Sequence, residues 1–355
     1  MHIMKGKTIK YLIFTPAASF YKIRLFNEVD IALRSKGKRL LVVFTNEYGE
    51  ERAADFTSGE MTFDYEFLVG KNRLERAINA LYILYKIKFE KLIVCGWDTT
   101  TKYILPFFSR KRKNTCIVES SIYESQLGGI KSLFKRIFLW RCSTAYVSGF
   151  AQRKLVEVLH FKGKIVVFGG CGLLNYQPQP KYHERNVVKT FLYVGRLSPE
   201  KNIELLIDVF NDVEIQKAEL ELKIIGYGPN KEALIERAAN NPHISFLGEV
   251  KNLELPTYYF NSDVFVLPSL REPWGLVVEE ALNNGTPVIV SDAVGCKDDL
   301  VSKDTGLVFI SNDFVSLKAQ VIKMMNVTYY NKLRRGISML DFEMRKKRQV
   351  EAFID

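Results

Sequence analysis

The sequence lacks any apolar run of the roughly 18–20 residues that a membrane-spanning helix needs. Residues 1–7 lead directly into a strand-like segment, without the apolar stretch and small-residue cleavage site of a secretory signal. Hydrophobic residues make up 47% of the chain and charged residues 26%, which excludes a disordered class of protein. We therefore expect a folded protein of the cytoplasm.

Cysteine and histidine are scarce and scattered. The chain has five cysteines and four histidines, with no C-x-x-C pair. An odd number of isolated cysteines argues against a disulfide framework and against a zinc site, so we expect ordinary buried thiols. No D-x-D motif lies in a suitable loop either. The sequence therefore predicts no metal site.

The sequence contains fewer acidic than basic residues. Lysine and arginine outnumber the acidic residues, 51 to 40, and the net charge is +11. The basic residues cluster at 34–39, 110–113, 131–136 and 345–348. Such a surface attracts anions, and nucleic acid, anionic lipid and phosphorylated substrates are all candidates. Since no zinc finger, helix-turn-helix or RNA-binding signature accompanies the clusters, we do not expect nucleic acid as a partner.

Short apolar segments alternate with helical periodicity, the pattern of parallel α/β architecture. In the first half we predict strands over 9–14, 40–44, 91–95, 115–118, 144–147 and 164–167, and helices over 74–85 and 152–159. After a polar segment with two prolines, strands resume over 190–194, 222–225, 243–247, 264–267 and 287–290, and a basic helical stretch covers 314–355.

We therefore expect an α/β fold of two Rossmann-like, doubly wound domains that face each other across a cleft. The first domain would cover 1–171, a linker 172–188 and the second domain 189–335. A C-terminal helix, 336–355, would pack back on the first domain. Ligands of such sheets bind beyond the carboxyl ends of the strands, so the loops there are the candidate sites.

The loop after the predicted strand 190–194 carries two cations, Arg196 and Lys201. A helix follows, with apolar residues at 203, 206, 207 and 210. A helix N-terminus offers free N–H groups and the positive end of the helix dipole. The two cations therefore suit a diphosphate, and the alternative is a pair of solvated surface charges.

Two glycines, Gly226 and Gly228, follow the predicted strand 222–225. Glycine lets backbone approach a ligand closely, although plain turns share this pattern.

Two glutamates bracket a predicted helix start after the strand 264–267. Glu272 lies in the loop and Glu280 eight positions later in the helix, with Gly275 between them. Gly275 leaves the amides of the helix start accessible. Carboxylates accept hydrogen bonds from hydroxyls, so the pair suits a sugar and a ribose. The alternative is an amphipathic helix with Glu279 and Glu280 in solvent.

Together these motifs resemble the family 4 glycosyltransferases of the GT-B fold, of the bacterial polysaccharide or O-antigen type. The likeness rests on G-R-x4-K at 195–201, G-x-G at 226–228, F-L-G at 246–248, E-P-W-G-L-x3-E-A-L at 272–282, T-P-V-I-V at 286–290 and T-G-L-V at 305–308. It covers the second predicted domain, whereas the first matches in architecture alone.

The resemblance implies a donor site for a nucleotide-sugar, with UDP favoured over GDP. Arg196 and Lys201 would hold the diphosphate, and Glu280 the ribose. The remaining implied donor contacts are Glu272 with the amides of Trp274, Gly275 and Leu276 for the sugar, Glu249 and Val250 for the nucleobase, and the glycines Gly226 and Gly228.

The resemblance also implies a retaining reaction that needs neither a metal nor a cofactor beyond the nucleotide-sugar co-substrate. The leaving phosphate would help to deprotonate the acceptor, so positive charge on that phosphate would be the main catalytic device. The candidate catalytic residues are Glu272, Arg196, Lys201 and Glu119.

The first predicted domain departs from the family pattern at Glu119, where a histidine is often found. Glu119 suits a ligand hydroxyl or a base, and the alternative is a carboxylate that caps the next helix. In the first loop, Ala17 and Ser19 would approach an acceptor closely, and Lys22 and Arg24 would favour an anionic one. The alternative there is packed alanines and solvated charges.

The segment 130–140 has an amphipathic helical pattern. Ile130, Leu133, Phe134, Ile137, Phe138 and Trp140 fall on one arc and Lys131, Lys135 and Arg136 on another. We expect the apolar arc to face the core of the domain. The alternative is contact with an anionic membrane surface, which this basic and aromatic composition also suits.

The sequence therefore predicts a retaining glycosyltransferase that moves a sugar from a nucleotide-sugar to a glycan or lipid-linked acceptor, in the cytoplasm or peripherally on the inner face of the cell membrane. A GT-B epimerase or phosphorylase, and a non-catalytic sugar-nucleotide-binding subunit, remain as alternatives.

Overall fold

The computed structural model describes residues 9–45, 59–238 and 241–354. The N-terminal segment 1–7 considered above lies outside these residues. The chain divides into two compact units. Unit 1 comprises Met1–Leu173 and Glu343–Asp355, and unit 2 comprises Leu174–Phe342. No helix in the described residues is long and apolar enough to cross a membrane.

Unit 1 is built on a seven-stranded sheet in which every described pairing is parallel. The strand order is β3-β2-β1-β4-β5-β6-β7. The strands are β1 (Ile9–Thr15), β2 (Arg39–Phe44), β3 (Asp64–Phe67), β4 (Phe89–Cys95), β5 (Asn114–Val118), β6 (Thr144–Val147) and β7 (Lys164–Val167). The edge strand β3 was not predicted from the sequence, because two of its four residues are acidic.

The helices of unit 1 cover the faces of this sheet. They are α1 (Phe20–Arg34), α2 (Arg73–Lys86), α3 (Thr100–Ile104), α4 (Gly129–Trp140) and α5 (Phe150–Val158), with short 3₁₀ turns at Leu105–Phe107 and Lys111–Lys113. The prediction that the apolar arc of α4 faces the core is wrong. Ser132, Phe138 and Leu139 are buried, whereas most of the predicted arc is exposed.

Unit 2 is built on a six-stranded sheet whose described pairings are also parallel. The strand order is β10-β9-β8-β11-β12-β13. The strands are β8 (Thr190–Val194), β9 (Glu221–Ile225), β10 (Ile244–Gly248), β11 (Val264–Leu267), β12 (Val288–Ser291) and β13 (Gly306–Phe309). The edge strand β13, again four residues long, was not predicted as a strand.

The helices of unit 2 alternate with its strands. They are α6 (Ile203–Phe210), α7 (Val213–Lys217), α8 (Lys231–Ala238), α9 (Leu255–Phe260), α10 (Leu276–Asn283), α11 (Lys297–Leu300), α12 (Phe314–Met324) and α13 (Val327–Ile337), with a 3₁₀ turn at Pro199–Lys201. The polar segment after residue 174 belongs to this unit. For example, Gln177 donates its amide to Asn283 of α10, and Arg334 of α13 bonds the carbonyl of His183.

One more helix, α14 (Phe342–Glu351), closes unit 1. Phe353 beyond it is fully buried, with its ring 6.5 Å from that of Tyr11, 5.0 Å from Tyr146 and 5.9 Å from Phe168. The core of unit 1 therefore contains side chains from both ends of its discontinuous sequence.

The predicted fold, two parallel Rossmann-like domains, is confirmed. In each sheet the strand order reverses direction once, between β1 and β4 in unit 1 and between β8 and β11 in unit 2. Loops that follow such neighbouring strands run to opposite sides and leave a crevice at the carboxyl edge. In unit 2 this topology brings the loops of Arg196 and Glu272 side by side.

Candidate functional site

Three loops of unit 2 lie against one another at the carboxyl edge of its sheet. The loop after β8 is bonded to the loop after β9, since Leu197 donates its amide to the carbonyl of Tyr227 at 2.7 Å. The loop after β9 continues to the end of β10, where Gly226 donates to Gly248 at 2.8 Å. The edge is therefore a continuous backbone surface.

The glycines of the β9 loop are required by this close packing. A Cβ atom on Gly226 would lie 1.8 Å from the carbonyl oxygen of Gly195, and one on Gly228 would lie 2.3 Å from that of Leu197. Both glycines have positive φ, 144° and 156°. The G-x-G pattern therefore has a local cause here, because any side chain would push the β8 loop away.

The two predicted cations lie on the β8 loop, and both are half-buried. The Nζ atom of Lys201 lies 2.5 Å from Oε2 of Glu272, with the two side chains 18% and 13% exposed. The structure therefore joins two residues that lie 71 positions apart in sequence. In this ion pair each residue neutralises the other, which contradicts the interpretation of Lys201 as a solvated charge.

Tyr193 holds the loop that carries Arg196. This tyrosine of β8 is fully buried, and its hydroxyl donates to the carbonyl of Arg196 at 2.8 Å. Burial, followed by the nearby charge of Glu272, raises the pKa of Tyr193 well above its ordinary value. The phenol therefore stays protonated and keeps this hydrogen bond.

A second acid, Glu200, lies in the 3₁₀ turn next to Lys201. Burial raises the pKa of Glu200, but the hydrogen bonds from the Ser198 hydroxyl and the backbone, with the charges of Lys201 and Arg196, bring it below its ordinary value. Its carbonyl accepts the amide of Leu270 at 2.8 Å. The turn is therefore attached to the loop after β11 by backbone as well as by charge.

The loop after β11 is fixed on its other side by the residues that follow β12. Gly295 donates to the carbonyl of Glu272, and Cys296 to that of Trp274, both at 2.9 Å. Gly275 has a φ of 102° and caps α10, whose first residue is Leu276. Trp274 is 3% exposed, so its indole is buried.

Both glutamates of α10 are buried, so the interpretation that places them in solvent is wrong. Glu279 is fully buried and accepts the hydroxyl of Tyr176 at 3.0 Å. Glu280 is 9% exposed and accepts the hydroxyl of Tyr259 at 2.9 Å. Burial, then the charge and hydrogen bond of Glu280, raise the pKa of Tyr259 well above its ordinary value. Tyr259 therefore remains a donor to Glu280.

Tyr193 and Tyr259 were not singled out in the sequence. Each stands in an apolar segment, where an aromatic residue indicates core packing. The predicted nucleobase contacts lie just beyond β10, where Glu249 is exposed and Val250 is half-buried.

Unit 1 has a charged pair at the carboxyl edge of its own sheet. Lys22 of α1 is 3% exposed, and its Nζ lies 2.8 Å from Oε1 of Glu119, the residue after β5. Lys22 also donates to the hydroxyl of Thr15 at 3.4 Å. The helix-capping interpretation of Glu119 is wrong, because α4 begins ten residues later and its cap, Gly128, receives no side-chain hydrogen bond.

The other predicted acceptor residues lie close to Lys22 in sequence. Ala17 is half-buried, and the buried Ser19 hydroxyl has no hydrogen-bond partner in the described part of the chain. The Arg24 guanidinium lies 5.8 Å from the centre of the Phe20 ring. Because Glu119 neutralises Lys22, this loop offers an anion less positive charge than the sequence predicted.

Unit 2 is similar in sequence to known proteins. Residues 178–337 match the family described as "Glycosyl transferases group 1". The sulfoquinovosyl transferase SQD2 of Arabidopsis thaliana is 37% identical over 126 residues, which cover 34% of this chain and 24% of that protein. The capsular polysaccharide biosynthesis glycosyltransferase CapM of Staphylococcus aureus is 28% identical over 186 residues, covering 50% and 48%. The matched parts thus span about half, or less, of these relatives.

The likeness to solved structures extends over nearly the whole chain. The Anabaena protein Alr3699/HepE, solved in complex with UDP and glucose, has a TM-score of 0.66 and 14% identity, over 97% of this chain and 98% of that one. At this identity the likeness shows the fold, which is that of GT-B glycosyltransferases. The family match is confined to residues 178–337, which lie in unit 2, and it covers less than half of the chain.

Proposed function

We propose that the chain is a retaining, metal-independent glycosyltransferase that takes a sugar from a UDP-sugar and transfers it to a glycan or lipid-linked acceptor. The surface polysaccharide role rests on the likeness to CapM, and the choice of UDP on the fold likeness to the UDP-bound Anabaena protein. We further propose that the enzyme acts at the inner face of the cell membrane.

One observation carries this proposal, the meeting of Arg196, Lys201 and Glu272 at the reversal of the unit 2 sheet. Two half-buried cations and a carboxylate lie there beside a glycine-lined backbone edge. Cations suit a diphosphate, and the carboxylate suits sugar hydroxyls. The arrangement therefore matches the two halves of a nucleotide-sugar.

Bond cleavage in such a donor places negative charge on the leaving diphosphate. Arg196 and Lys201 would stabilise that charge, and their fixed positions would cost little reorganisation during reaction. The leaving phosphate would then take the proton of the acceptor hydroxyl on the same face of the sugar, so that the anomeric configuration is retained. The two cations supply the positive charge, which is why we propose no metal requirement.

The Lys201–Glu272 ion pair must open when the donor binds, because the diphosphate competes for the ammonium. Glu272 is then released toward the sugar. Glu280, held by Tyr259, would accept ribose hydroxyls. On the acceptor side we assign Glu119, held by Lys22, to an acceptor hydroxyl.

Replacing Lys201 with alanine should weaken UDP binding by roughly tenfold to a hundredfold, since a charge-assisted hydrogen bond contributes about 1.5–3 kcal/mol. Calorimetry with UDP, GDP, dTDP and CMP measures the loss and names the base. The matched control is Lys189→Ala, which removes a half-exposed lysine of the same unit 3.6 Å from Glu219. Equal affinities of Lys201→Ala and the wild type would refute the donor site.

Replacing Glu272 with alanine should abolish transfer but preserve UDP binding, because Lys201 stays available to the diphosphate. The measurement is UDP release from UDP-glucose, with and without lipid-linked glycans, beside calorimetry with UDP. Undiminished release would exclude the sugar-binding role of Glu272. If the wild type binds UDP but neither transfers nor hydrolyses, the chain is a sugar-nucleotide-binding subunit.

Replacing Tyr259 with phenylalanine should raise the KM for the donor about fivefold, since Glu280 loses a hydrogen bond of about 1 kcal/mol. We expect kcat to stay nearly constant, because this contact acts in binding. Tyr330→Phe is the matched control, since this buried tyrosine donates to the carbonyl of Asp263 at 3.0 Å, before β11 begins. Similar KM changes in both variants would indicate a general loss of stability.

Replacing Glu119 with glutamine should lower kcat/KM for the acceptor at least about tenfold, as expected for loss of a charged hydrogen bond. Affinity for UDP should not change, because that site lies in unit 2. The double variant Lys22→Met, Glu119→Gln removes the uncompensated buried charge and should restore stability without restoring transfer. Recovery of transfer in the double variant would show that the pair is structural.

A further inference from the structure

Helix α4 presents an apolar face to solvent. Its exposed apolar side chains are Ile130 (71%), Leu133 (55%), Phe134 (51%), Ile137 (37%) and Trp140 (65%). They recur at the spacing of one helical face, and the opposite face supplies the buried contacts to unit 1. These apolar residues form a single stripe along the helix but do not pack in the core of unit 1. Their exposure therefore needs another explanation.

The apolar face continues onto the neighbouring 3₁₀ turn. Phe107 and Phe108 are 38% and 50% exposed. Tyr103 stacks on Phe107, packs edge-on against Phe134 at 6.0 Å and donates its hydroxyl to the Phe134 carbonyl. We call the exposed apolar side chains together the α4 surface: Phe107, Phe108, Ile130, Leu133, Phe134, Ile137 and Trp140.

Positive charge alone accompanies the α4 surface in sequence. The segments 107–113 and 129–141 contain no aspartate or glutamate and eight basic residues: Arg110, Lys111, Arg112, Lys113, Lys131, Lys135, Arg136 and Arg141. Some of these cations lie directly against the aromatic rings. Trp140 has Lys111 at 5.8 Å and Arg141 at 5.6 Å from its ring, and Arg141 is also 5.7 Å from Phe107.

A second exposed stripe runs along α2, which packs against α3 and the 3₁₀ turn. Leu74, Ile78, Tyr82 and Tyr85 are between 53% and 70% exposed. The exposed apolar area therefore spreads over neighbouring helices of one unit. Contiguous apolar patches of this kind mark sites of interaction.

We propose that the α4 surface docks on an anionic lipid bilayer, with its aromatic and aliphatic side chains in the headgroup region and its cations on the lipid phosphates. A bilayer is broad enough to cover several helices at once. An anionic bilayer also combines an apolar interior with negatively charged headgroups. Aromatic residues interleaved with lysine and arginine suit that boundary. The proposal does not depend on the transferase activity.

The test is flotation of the full chain with two kinds of vesicle, one of phosphatidylcholine alone and one of phosphatidylcholine and phosphatidylglycerol in equal amounts. We expect binding to the anionic vesicles at low salt and its loss at high salt, because salt screens the attraction. Equal binding to both vesicles, or none to the anionic ones, overturns the proposal. So does capture by a soluble acidic protein that leaves the anionic vesicles unbound.

Two variants separate the apolar and the charged contributions. Phe134→Ser with Leu133→Ser should weaken binding at least tenfold, and Lys111→Gln with Arg136→Gln should weaken it by about fivefold for each charge near the surface. Val315→Ser with Met339→Ser is the matched control, since these unit 2 side chains are 73% and 77% exposed. Wild-type binding by both α4 variants overturns the proposal.

Fluorescence locates the contact on the chain. The protein has three tryptophans, of which Trp274 is buried, Trp97 is half-buried and Trp140 is exposed. Docking should shift the emission of Trp140 to shorter wavelength, and Trp140→Phe should remove the shift while keeping most of the binding. A shift that persists in Trp140→Phe overturns the assignment to α4. Neither readout uses catalysis, so a failure here is distinct from a failure of the donor site.

Discussion

The carboxyl edge of the unit 2 sheet, where we propose the donor site, depends on a contact between two stretches of backbone. The loop after β9 lies so close to the loop after β8 that a Cβ on Gly226 would be 1.8 Å from a carbonyl oxygen. This contact fixes the height and direction of the β8 loop, and with it the positions of Arg196 and Lys201. The backbone that carries these two cations is therefore held in place by close packing.

Charge compensation is the second constraint. Two half-buried cations without a ligand would be costly to hold together, and Glu272 and Glu200 offset them in the free protein. The carboxylate of Glu272 that pairs with Lys201 is also the one that we propose for the sugar. Under that proposal, the ion pair would serve both the stability of the fold and the binding of the ligand. In unit 1, Glu119 likewise offsets the charge of the buried Lys22.

The sequence was informative where the cause of structure is local. Central strands such as β6, β8 and β11 are continuous apolar runs, and their predicted bounds agree with the structure. The strands β3 and β13 were not predicted, because β3 has two acidic residues among its four and β13 begins with Gly306, whereas the equally short edge strand β7 was predicted from its apolar residues. The loops at the carboxyl edge of unit 2 were located from strand ends and glycines.

Contacts between distant residues left no local pattern. Nothing in the sequence pairs Lys22 with Glu119 or Tyr259 with Glu280, since such contacts arise from strand order. Periodicity likewise predicted that α4 has an apolar face but could not say whether that face meets the core. The direction of a helix face is set by which of its sides reaches the sheet, and in α4 Phe138 and Leu139 do so.

The discontinuity of unit 1 has a consequence for the order in which the chain folds during synthesis. Every strand and helix of unit 2 is contained in Leu174–Phe342, so this unit can fold from one uninterrupted stretch. Unit 1 is different, because the cavity between Tyr11, Tyr146 and Phe168 is filled by Phe353. Since β1 precedes unit 2 in the sequence and Phe353 follows it, unit 1 completes its core after unit 2 has been translated. Tyr11 is therefore synthesised 342 residues before Phe353, whose carbonyl accepts its hydroxyl.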